Sequence, residues 1–389
     1  MATKILSVDD ESDLEILLSQ YFRRQIRKGE YEFTFAHNGL EALQKLLETP
    51  DFDIILSDIN MPEMDGLTLL AKINELKNPA MKCIMVSAYG DMENIRSAMN
   101  KGAFDFATKP IDLEDLSHTI EKAIEQVRYI RESQQEHSQL ESIRNDLAIA
   151  GEIQQTILPR LFPPFPELAE YVDIYASMTP ARDVGGDFYD FFRIDDENIG
   201  LVIADVSGKG VPAALFMAVS RTLLRATALR GVPSSECLTY ANKLLCKESL
   251  DSMFVTVFYG IYNYKTGIMD YTNAGHNPPY ILRQNHHIET LPLTPNFIVG
   301  VFDDISFENG MLKLETGDTL LMYTDGVTEA FNEEREQFSE NRLQNALKNL
   351  PENPQTKDVV TEILRQVKNF SGNYPQSDDI TLLSLQRTE

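Results

Sequence analysis

Short apolar runs alternate with amphipathic stretches from Lys4 to Pro110. The apolar runs predict strands at Ile5–Val8, Phe33–Ala36, Ile54–Ser57, Cys83–Ser87 and Phe104–Ala107. Between them, apolar positions that repeat with helical spacing predict helices such as Leu14–Phe22 and Leu40–Leu47. Regular alternation of strand and helix indicates parallel strands with right-handed crossovers, so this part is predicted to form a doubly wound α/β sheet.

From Asp112 to Leu158 the pattern is that of one long helix. Apolar or small residues recur at alternating intervals of three and four, in two series that are out of phase with each other. The first series is Leu113, Leu116, Ile120, Ala123, Val127 and Ile130, and the second is Leu140, Ile143, Leu147, Ala150 and Ile157. This spacing is typical of a coiled-coil seam, so we expect a coiled-coil-like helix that supports a homodimer. The alternative is a single solvated helix with one core-facing stripe.

From Pro159 onward the strands come from well-separated parts of the chain, as in an α+β domain. Strands are predicted at Ile199–Ala204, Phe254–Tyr262, Thr319–Tyr323 and Ile380–Leu385. Helices are predicted at Ala213–Leu229, Ser235–Leu245, Asn341–Leu347 and Asp358–Phe370. The first of these helices is apolar all round, which predicts that it is buried. The chain should thus comprise a domain at 1–125, a helical linker at 112–158 that overlaps the last helix of that domain, and a domain at 159–389.

Net charge narrows the range of partners, and cysteine content indicates the cellular compartment. With 35 basic and 60 acidic side chains, the formal net charge is −25. Such a surface repels nucleic-acid phosphates and anionic lipids, so we expect neither a nucleic-acid nor a membrane partner. The scattered cysteines, Cys83, Cys237 and Cys246, argue against a disulfide framework and fit a cytoplasmic protein. The sequence has no signal-peptide pattern at its start and no apolar run long enough to span a bilayer.

Polar residues follow the predicted strands of the first domain. Asp9 and Asp10 come after the first strand, Asp58 follows the third, and Ser87 and Lys109 lie at the ends of the fourth and fifth. Because the carboxyl ends of parallel strands face one crevice, these side chains should meet. Three neighbouring carboxylates require a cation, and Mg²⁺ suits oxygen ligands. We therefore expect Asp58 to accept a phosphoryl group, although any one aspartate could instead be a helix N-cap or turn residue.

Residues 4–125 resemble the receiver domains of two-component response regulators, which have a flavodoxin-like fold. The resemblance implies that Asp9 and Asp10 bind Mg²⁺ together with the backbone carbonyl of Asn60, and that Asp58 is the phosphoacceptor. It also implies a switch set that comprises Ser87, Phe106 and Lys109. A sensor histidine kinase would supply the phosphoryl group, since the chain has no histidine-kinase ATP-binding pattern.

Four segments of the second domain place an aspartate beside a glycine-rich turn or at a strand edge: ARDVGGDFYDFF, VIADVSGKGVPAALF, LMYTDGVTEAF and SDDITLL. Their aspartates, Asp187, Asp205, Asp325 and Asp378, could form a hard-oxygen site for two Mg²⁺ or Mn²⁺ ions. Two such ions create a hydroxide for in-line attack on phosphorus. Taken singly, each segment is also compatible with an ordinary turn. Arg182 is either a ligand of the substrate phosphate or a solvated surface residue.

The four segments, in this order, resemble the metal-dependent PPM (PP2C-like) serine/threonine phosphatases of the bacterial sporulation and stress-response branch. The resemblance implies a β-sandwich with flanking helices. It implies metal ligands at the Asp187 and Asp205 carboxylates, the Val206 carbonyl, and the Asp325 and Asp378 carboxylates. Asp205 would bridge the two ions and, with Asp187, form the catalytic pair. Asp379 stands beside Asp378, which leaves open which of the two binds the metal.

The same resemblance implies a function. The substrate would be a phosphorylated STAS-type anti-sigma factor antagonist, which the enzyme dephosphorylates in a partner-switching pathway. Phosphorylation of Asp58 would control the enzyme through the linker, by changing dimer packing or coiled-coil register at the phase slip in Ser133–Gln139. The alternative is a non-catalytic, phosphorylation-gated adaptor that binds a sigma-factor regulator. Such adaptors lose the metal-binding aspartates, which are all present here.

Overall fold

The computed structural model describes residues 2–88, 91–248, 253–285 and 287–389. The chain divides into two compact units, Met1–Ile143 and Arg144–Glu389. Each unit has its own sheets and its own hydrophobic core.

The first unit is built on one five-stranded sheet. Its strands are β1 (Thr3–Val8), β2 (Tyr31–Ala36), β3 (Ile54–Asp58), β4 (Lys82–Ala88) and β5 (Asp105–Lys109). Its helices up to β5 are α1 (Ser12–Tyr21), α2 (Arg23–Arg27), α3 (Gly39–Glu48), α4 (Gly66–Glu75) and α5 (Met92–Asn100). The strands pair in parallel in the order β2-β1-β3-β4-β5. The predicted doubly wound sheet is confirmed.

Burial on both faces explains why these strands read as continuous apolar runs. Ile5 and Leu6 are neighbours on β1, yet they belong to different hydrophobic clusters. Successive residues of the strand therefore supply the cores on opposite faces of the sheet. Polar residues are left for the carboxyl ends of the strands, where Asp9, Asp58 and Lys109 lie at one edge.

A 45-residue helix, α6 (Leu113–Ile157), begins in the first unit and ends in the second. Leu116, Ile120 and Ala123 of its first apolar series are buried in the core of the first unit. The prediction of a coiled-coil seam is therefore wrong for this series, because the same spacing also suits a helix that packs on a sheet. In the second series, Leu140 and Ile143 are each 55% exposed.

The second unit contains two antiparallel sheets of five strands each. The strands are β6 (Val172–Thr179), β7 (Phe188–Arg193), β8 (Asn198–Val206), β9 (Val255–Asn263), β10 (Ile268–Ala274), β11 (Tyr280–Leu282), β12 (Ile288–Thr290), β13 (Gly310–Lys313), β14 (Thr319–Tyr323) and β15 (Ile380–Arg387). The sheet orders are β13-β10-β9-β8-β7 and β12-β11-β14-β15-β6. One core cluster draws on both sheets, with Ile203 from the first and Leu383 from the second. The predicted β-sandwich is confirmed.

Helices flank both sheets of the sandwich. They are α7 (Val211–Ala228), α8 (Ser234–Glu248), α9 (Asp325–Thr328), α10 (Ser339–Lys348) and α11 (Thr356–Ser371), with a short 3₁₀ helix at Pro166–Leu168. The prediction that the first of these is buried all round is wrong, since Val211, Leu215 and Val219 form an exposed stripe and Leu215 is 65% exposed. Among the helices in the described parts of the chain, none combines the length and apolar character needed to cross a membrane.

Candidate functional site

In the first unit, three acidic side chains meet at the carboxyl edge of the sheet. Ligand oxygens of Asp9, Asp10 and Asp58 all lie within 4.8 Å of one another. Lys109 Nζ lies 2.7 Å from an Asp58 oxygen and 2.9 Å from an Asp9 oxygen. Burial lowers the pKa of Lys109, but its hydrogen bonds to Asp58 and Asp9 outweigh that effect and raise it above its usual value. This set of oxygens fits a Mg²⁺ ion, which accepts carboxylates and keeps water for a phosphoryl oxygen.

The other residues predicted for this site lie around Asp58. The Asn60 backbone N–H donates to Asp58 Oδ1 at 3.3 Å. Ser87 is fully buried at the end of β4, and its hydroxyl has no hydrogen-bond partner among the described residues. Phe106 is half-buried on the neighbouring strand β5 and packs against the core. A buried, unpaired hydroxyl near the predicted phosphoacceptor suits a hydrogen-bond donor whose partner arrives only on phosphorylation.

The four predicted aspartates of the second unit come from both sheets of the sandwich. Asp187 directly precedes β7 and Asp205 is near the end of β8, while Asp325 follows β14 and Asp378 precedes β15. Burial and the neighbouring Asp205 raise the pKa of Asp187 well above its usual value. Burial and the neighbouring Asp325 raise the pKa of Asp205 to about 7. Asp187 is buried and Asp205, Asp325 and Asp378 are partly buried, so the carboxylates form a cluster of like charges that cations would stabilise.

Two threonines hold Asp187 in place. The hydroxyls of Thr324 and Thr381 each donate to Asp187 Oδ2, both at 2.7 Å. This leaves Oδ1 available to another partner. Neither threonine was predicted from the sequence, although each lies in one of the four aspartate-containing segments, one before Asp325 and one after Asp379.

The neighbours Asp378 and Asp379 have different surroundings. The Asp379 carboxylate accepts backbone N–H bonds from Ala181, Gly186 and Asp187 at 2.8, 2.6 and 3.3 Å. A Cβ at Gly185 would lie 2.3 Å from an Asp379 oxygen, so this approach requires glycine. Asp378 is half-buried and pairs with Lys209 Nζ at 2.8 Å. Three backbone N–H groups of the loop before Asp187 thus hold Asp379, whereas Asp378 accepts from Lys209 and, at 3.0 Å, from the Asp379 backbone N–H.

Two further groups border the carboxylates. A Cβ at Gly186 would lie 2.8 Å from the Val206 carbonyl oxygen, which places that oxygen against the loop before Asp187. Arg182 is exposed, and its Nη1 lies 4.0 Å from where a Cβ would stand at Gly210. A cationic side chain therefore stands at the rim of the acidic cluster.

Carboxylate and carbonyl oxygens with raised carboxyl pKa values fit hard divalent cations. In the described part of the chain, one group of three or more aspartate, glutamate, histidine or cysteine residues has ligand atoms that all lie within 4.8 Å of one another. That group is the trio Asp9, Asp10 and Asp58. The aspartates of the second unit are therefore more widely spread. The two-ion site at these aspartates stays a prediction from the sequence.

The end of α6 contacts the loop that carries Asp187. Gln154 is buried; its Nε2 donates to the Gly185 carbonyl at 2.6 Å, and its Oε1 accepts from the Gly185 N–H at 3.0 Å. A Cβ at Gly151 would lie 2.3 Å from the Asp183 carbonyl oxygen, so the helix backbone runs directly against this loop. The linker helix therefore holds the backbone next to a predicted metal ligand.

Comparisons with known families agree with this division. Residues 5–121 match the response regulator receiver domain, and residues 195–388 match the family described as Stage II sporulation protein E (SpoIIE). The SiaA-PP2C domain of Pseudomonas aeruginosa has a TM-score of 0.54 and 21% sequence identity, and the match covers 64% of this chain and 98% of that domain. That likeness shows a shared fold.

Two curated relatives match across much of the chain. Protein IcfG of Synechocystis sp. is 32% identical over 273 residues, which cover 63% of this chain and 42% of that protein. Phosphoserine phosphatase RsbU of Bacillus subtilis is 32% identical over 224 residues, which cover 57% of this chain and 65% of that protein. The chain thus spans less than two thirds of the length of each.

Proposed function

We propose that this protein dephosphorylates phosphoserine or phosphothreonine on a partner protein. The chain carries an N-terminal response regulator receiver domain and a C-terminal SpoIIE/PP2C-type phosphatase domain. The observation that carries this proposal is the cluster of carboxylates formed by Asp187, Asp205, Asp325 and Asp378. Burial and neighbouring carboxylates raise the pKa values of Asp187, Asp205 and Asp325, which supports the binding of cations there. RsbU, a relative named as a phosphoserine phosphatase, supports the same reaction.

The chain's own residues suit a two-metal site. The proposed ligands are the carboxylates of Asp187, Asp205, Asp325 and Asp378 and the Val206 carbonyl. When bound, two Mn²⁺ or Mg²⁺ ions would supply a deprotonated water for attack on phosphorus and neutralise the phosphate charge.

Neighbouring side chains prepare the site for this chemistry. The two threonine hydroxyls on Asp187 Oδ2 fix the carboxylate orientation and leave Oδ1 to bind metal. Arg182 can place a guanidinium against the phosphate oxygens, a geometry that suits bidentate hydrogen bonding.

Phosphorylation of Asp58, with Mg²⁺ bound by Asp9, Asp10 and the Asn60 carbonyl, is the proposed control. The new phosphoryl oxygens would take Lys109 as a partner and accept a hydrogen bond from Ser87. Movement of Ser87 and of Phe106 on β5 would then alter α6, which follows β5 in the chain and ends against the loop before Asp187. A local charge change is thereby linked to a distant site through one continuous helix.

The proposed partners follow from the two domains. A sensor histidine kinase would supply the phosphoryl group, and the substrate would be a phosphorylated STAS-type anti-sigma factor antagonist in a partner-switching pathway. The match to RsbU and the receiver match support these assignments. The non-catalytic adaptor is the weaker alternative, because all four carboxylates are present and close to one another.

Hydrolysis of p-nitrophenyl phosphate tests the catalytic proposal. We expect the wild type to need Mn²⁺ and Asp205→Asn to lose about a hundredfold or more of the activity, because the bridging charge is removed. The matched control is Asp196→Asn, which alters a fully exposed aspartate of the same unit and should retain activity. Beryllofluoride, which mimics phosphorylated Asp58, should change the wild-type rate. Equal, metal-independent activity in both variants would rule out this site.

A further inference from the structure

An apolar cavity of about 400 Å³ lies in the second unit beside the acidic cluster. A cavity of this size can take a large side chain. Its apolar walls come from the α11 helix, the chain after α9 and the start of β15: Ala330, Phe331, Leu364, Val367, Tyr374 and Ile380. Lys368 is the charged residue among the described residues that line it.

Part of the cavity wall lies at the same end of the second sheet as two proposed metal ligands. Gly326, which lines the cavity, directly follows Asp325, and Ser377, which also lines it, directly precedes Asp378. Thr179, another lining residue, is the last residue of β6, which pairs with the start of β15. The cavity wall therefore includes the chain neighbours of two of the four carboxylates.

Hydrogen bonds hold in place the part of the cavity wall that lies next to the carboxylates. Lys209 Nζ lies 2.6 Å from the Ser377 carbonyl, and Gln376 Nε2 donates to the carbonyls of Thr179 and Asp378. Phe331 and Tyr374 face each other with ring centroids 6.3 Å apart. These contacts indicate a preformed recess.

We propose that this cavity is a substrate subsite that receives an apolar side chain flanking the phosphorylated residue of the phosphoprotein. The inference rests on the proposed phosphatase function. A phosphate bound to metal ions that Asp205, Asp325 and Asp378 would hold brings its polypeptide close to the cavity wall at Gly326 and Ser377. An extended chain advances about 3.3 Å per residue, so a residue two to four positions from the phosphoresidue reaches the cavity. Burial of that side chain would select the phosphorylation sites that the enzyme accepts.

A set of phosphoserine peptides tests this with the full-length chain, Mn²⁺ and beryllofluoride. In a serine-rich background, one leucine is moved from the fourth residue before the phosphoserine to the fourth residue after it. We expect one or two adjacent positions to raise kcat/KM about tenfold over the peptide without leucine, because an apolar pocket discriminates by that order. Aspartate at the same position should remove the gain.

Two substitutions in α11 test whether a preference for leucine in the peptide depends on the cavity. Leu364→Trp fills the cavity and should abolish the leucine preference, while kcat/KM for p-nitrophenyl phosphate changes less than about twofold because that substrate is too small to use the subsite. Asn369→Trp adds the same bulk at an exposed position of the same helix and should keep the preference.

The outcomes separate the two proposals. Equal kcat/KM for all peptides, with p-nitrophenyl phosphate still hydrolysed, would overturn the subsite and leave the phosphatase in place. A leucine preference that survives Leu364→Trp, or a loss that extends equally to p-nitrophenyl phosphate, would also overturn it. Absence of hydrolysis of every substrate would refute the phosphatase itself and the subsite with it.

Discussion

His276 is buried in the second unit, at the turn after β10. It is 3% exposed, and its Nδ1 lies 2.9 Å from the Thr256 hydroxyl, in a hydrogen bond. Its backbone N–H donates to the Asn273 side chain at 2.8 Å. Burial lowers the pKa of His276 from 6.5 to about 4, although the Tyr323 backbone acts in the opposite direction. The ring is therefore neutral at pH 7 and serves the packing of this turn.

This burial predicts a pH dependence of stability. The folded pKa lies below the unfolded value, so between pH 6.5 and 4 the unfolded chain binds the proton and the folded chain does not. The free energy of unfolding should fall by about 3 kcal/mol as the pH decreases through this window. Calorimetry from pH 4 to 7 should show a shallower slope for His276→Gln than for the wild type. His287→Gln, at an exposed position of the same unit, is the control, and identical slopes in all three proteins would contradict the prediction.

At the scale of single residues, the sequence predicts which acidic side chains form the candidate sites but not which groups hold those side chains in place. The predicted aspartates lie in short segments with glycine or an adjacent acid, which can be recognised locally. The hydrogen bonds from Thr324 and Thr381 to Asp187 join residues 137 and 194 positions apart. No local pattern encodes such a contact. The same limit left the choice between Asp378 and Asp379 open in the sequence; in the structure, three backbone N–H groups from the loop at residues 181–187 donate to Asp379 and none of these three donates to Asp378.

At the scale of elements, the strands of the first unit were predictable because each has a short, mainly apolar run, which is buried most completely in β1, β3 and β4. The positions of the helices were predictable, but the surfaces against which their apolar faces pack were not. The first apolar series of α6 packs into the sheet, and α7 leaves Leu215 exposed. Periodicity shows that a helix has an apolar face, and only the fold shows whether that face meets a sheet, a second helix or solvent.

The contact between α6 and the loop before Asp187 predicts a variant that folds but responds less to phosphorylation of the first unit. Gln154→Ala removes both hydrogen bonds to Gly185 and leaves a buried N–H unpaired, at a cost of about 1–3 kcal/mol. We expect weaker Mn²⁺ binding by titration calorimetry and a smaller response to beryllofluoride. Gln155→Ala, which alters the exposed neighbouring side chain, should behave like the wild type. Full beryllofluoride response in Gln154→Ala would exclude this contact from the control route.

At the scale of the whole molecule, the second half of α6 exposes apolar residues. Leu140 and Ile143 of the predicted second series are each 55% exposed, whereas its members Leu147, Ala150 and Ile157 are partly buried. Ile149 and Ile153, which lie outside that series, are 48% and 56% exposed. Such a surface costs free energy in water unless another molecule covers it. We propose that a second copy of the chain does so, with α6 helices side by side.

Light scattering tests this dimer. The wild type should have twice the 44.1 kDa chain mass at micromolar concentration. Ile143→Glu should give the single-chain mass, because it places a charge in the proposed seam. Ser142→Glu adds the same charge one residue earlier and should remain a dimer. A monomeric wild type, or a dimeric Ile143→Glu, would contradict the proposal.

The different hydrogen-bond partners of Asp378 and Asp379 decide which substitution is suited to capturing an unknown partner protein. A screen for inactive variants would return both positions, since each loss disables the site. At Asp379, asparagine would turn an amide NH₂ toward backbone N–H donors and loosen the loop that carries Asp187. At Asp378, asparagine removes one charge and leaves those backbone bonds intact. Asp378→Asn is therefore the choice for a folded, slow enzyme that retains its phosphorylated target long enough to be recovered with it.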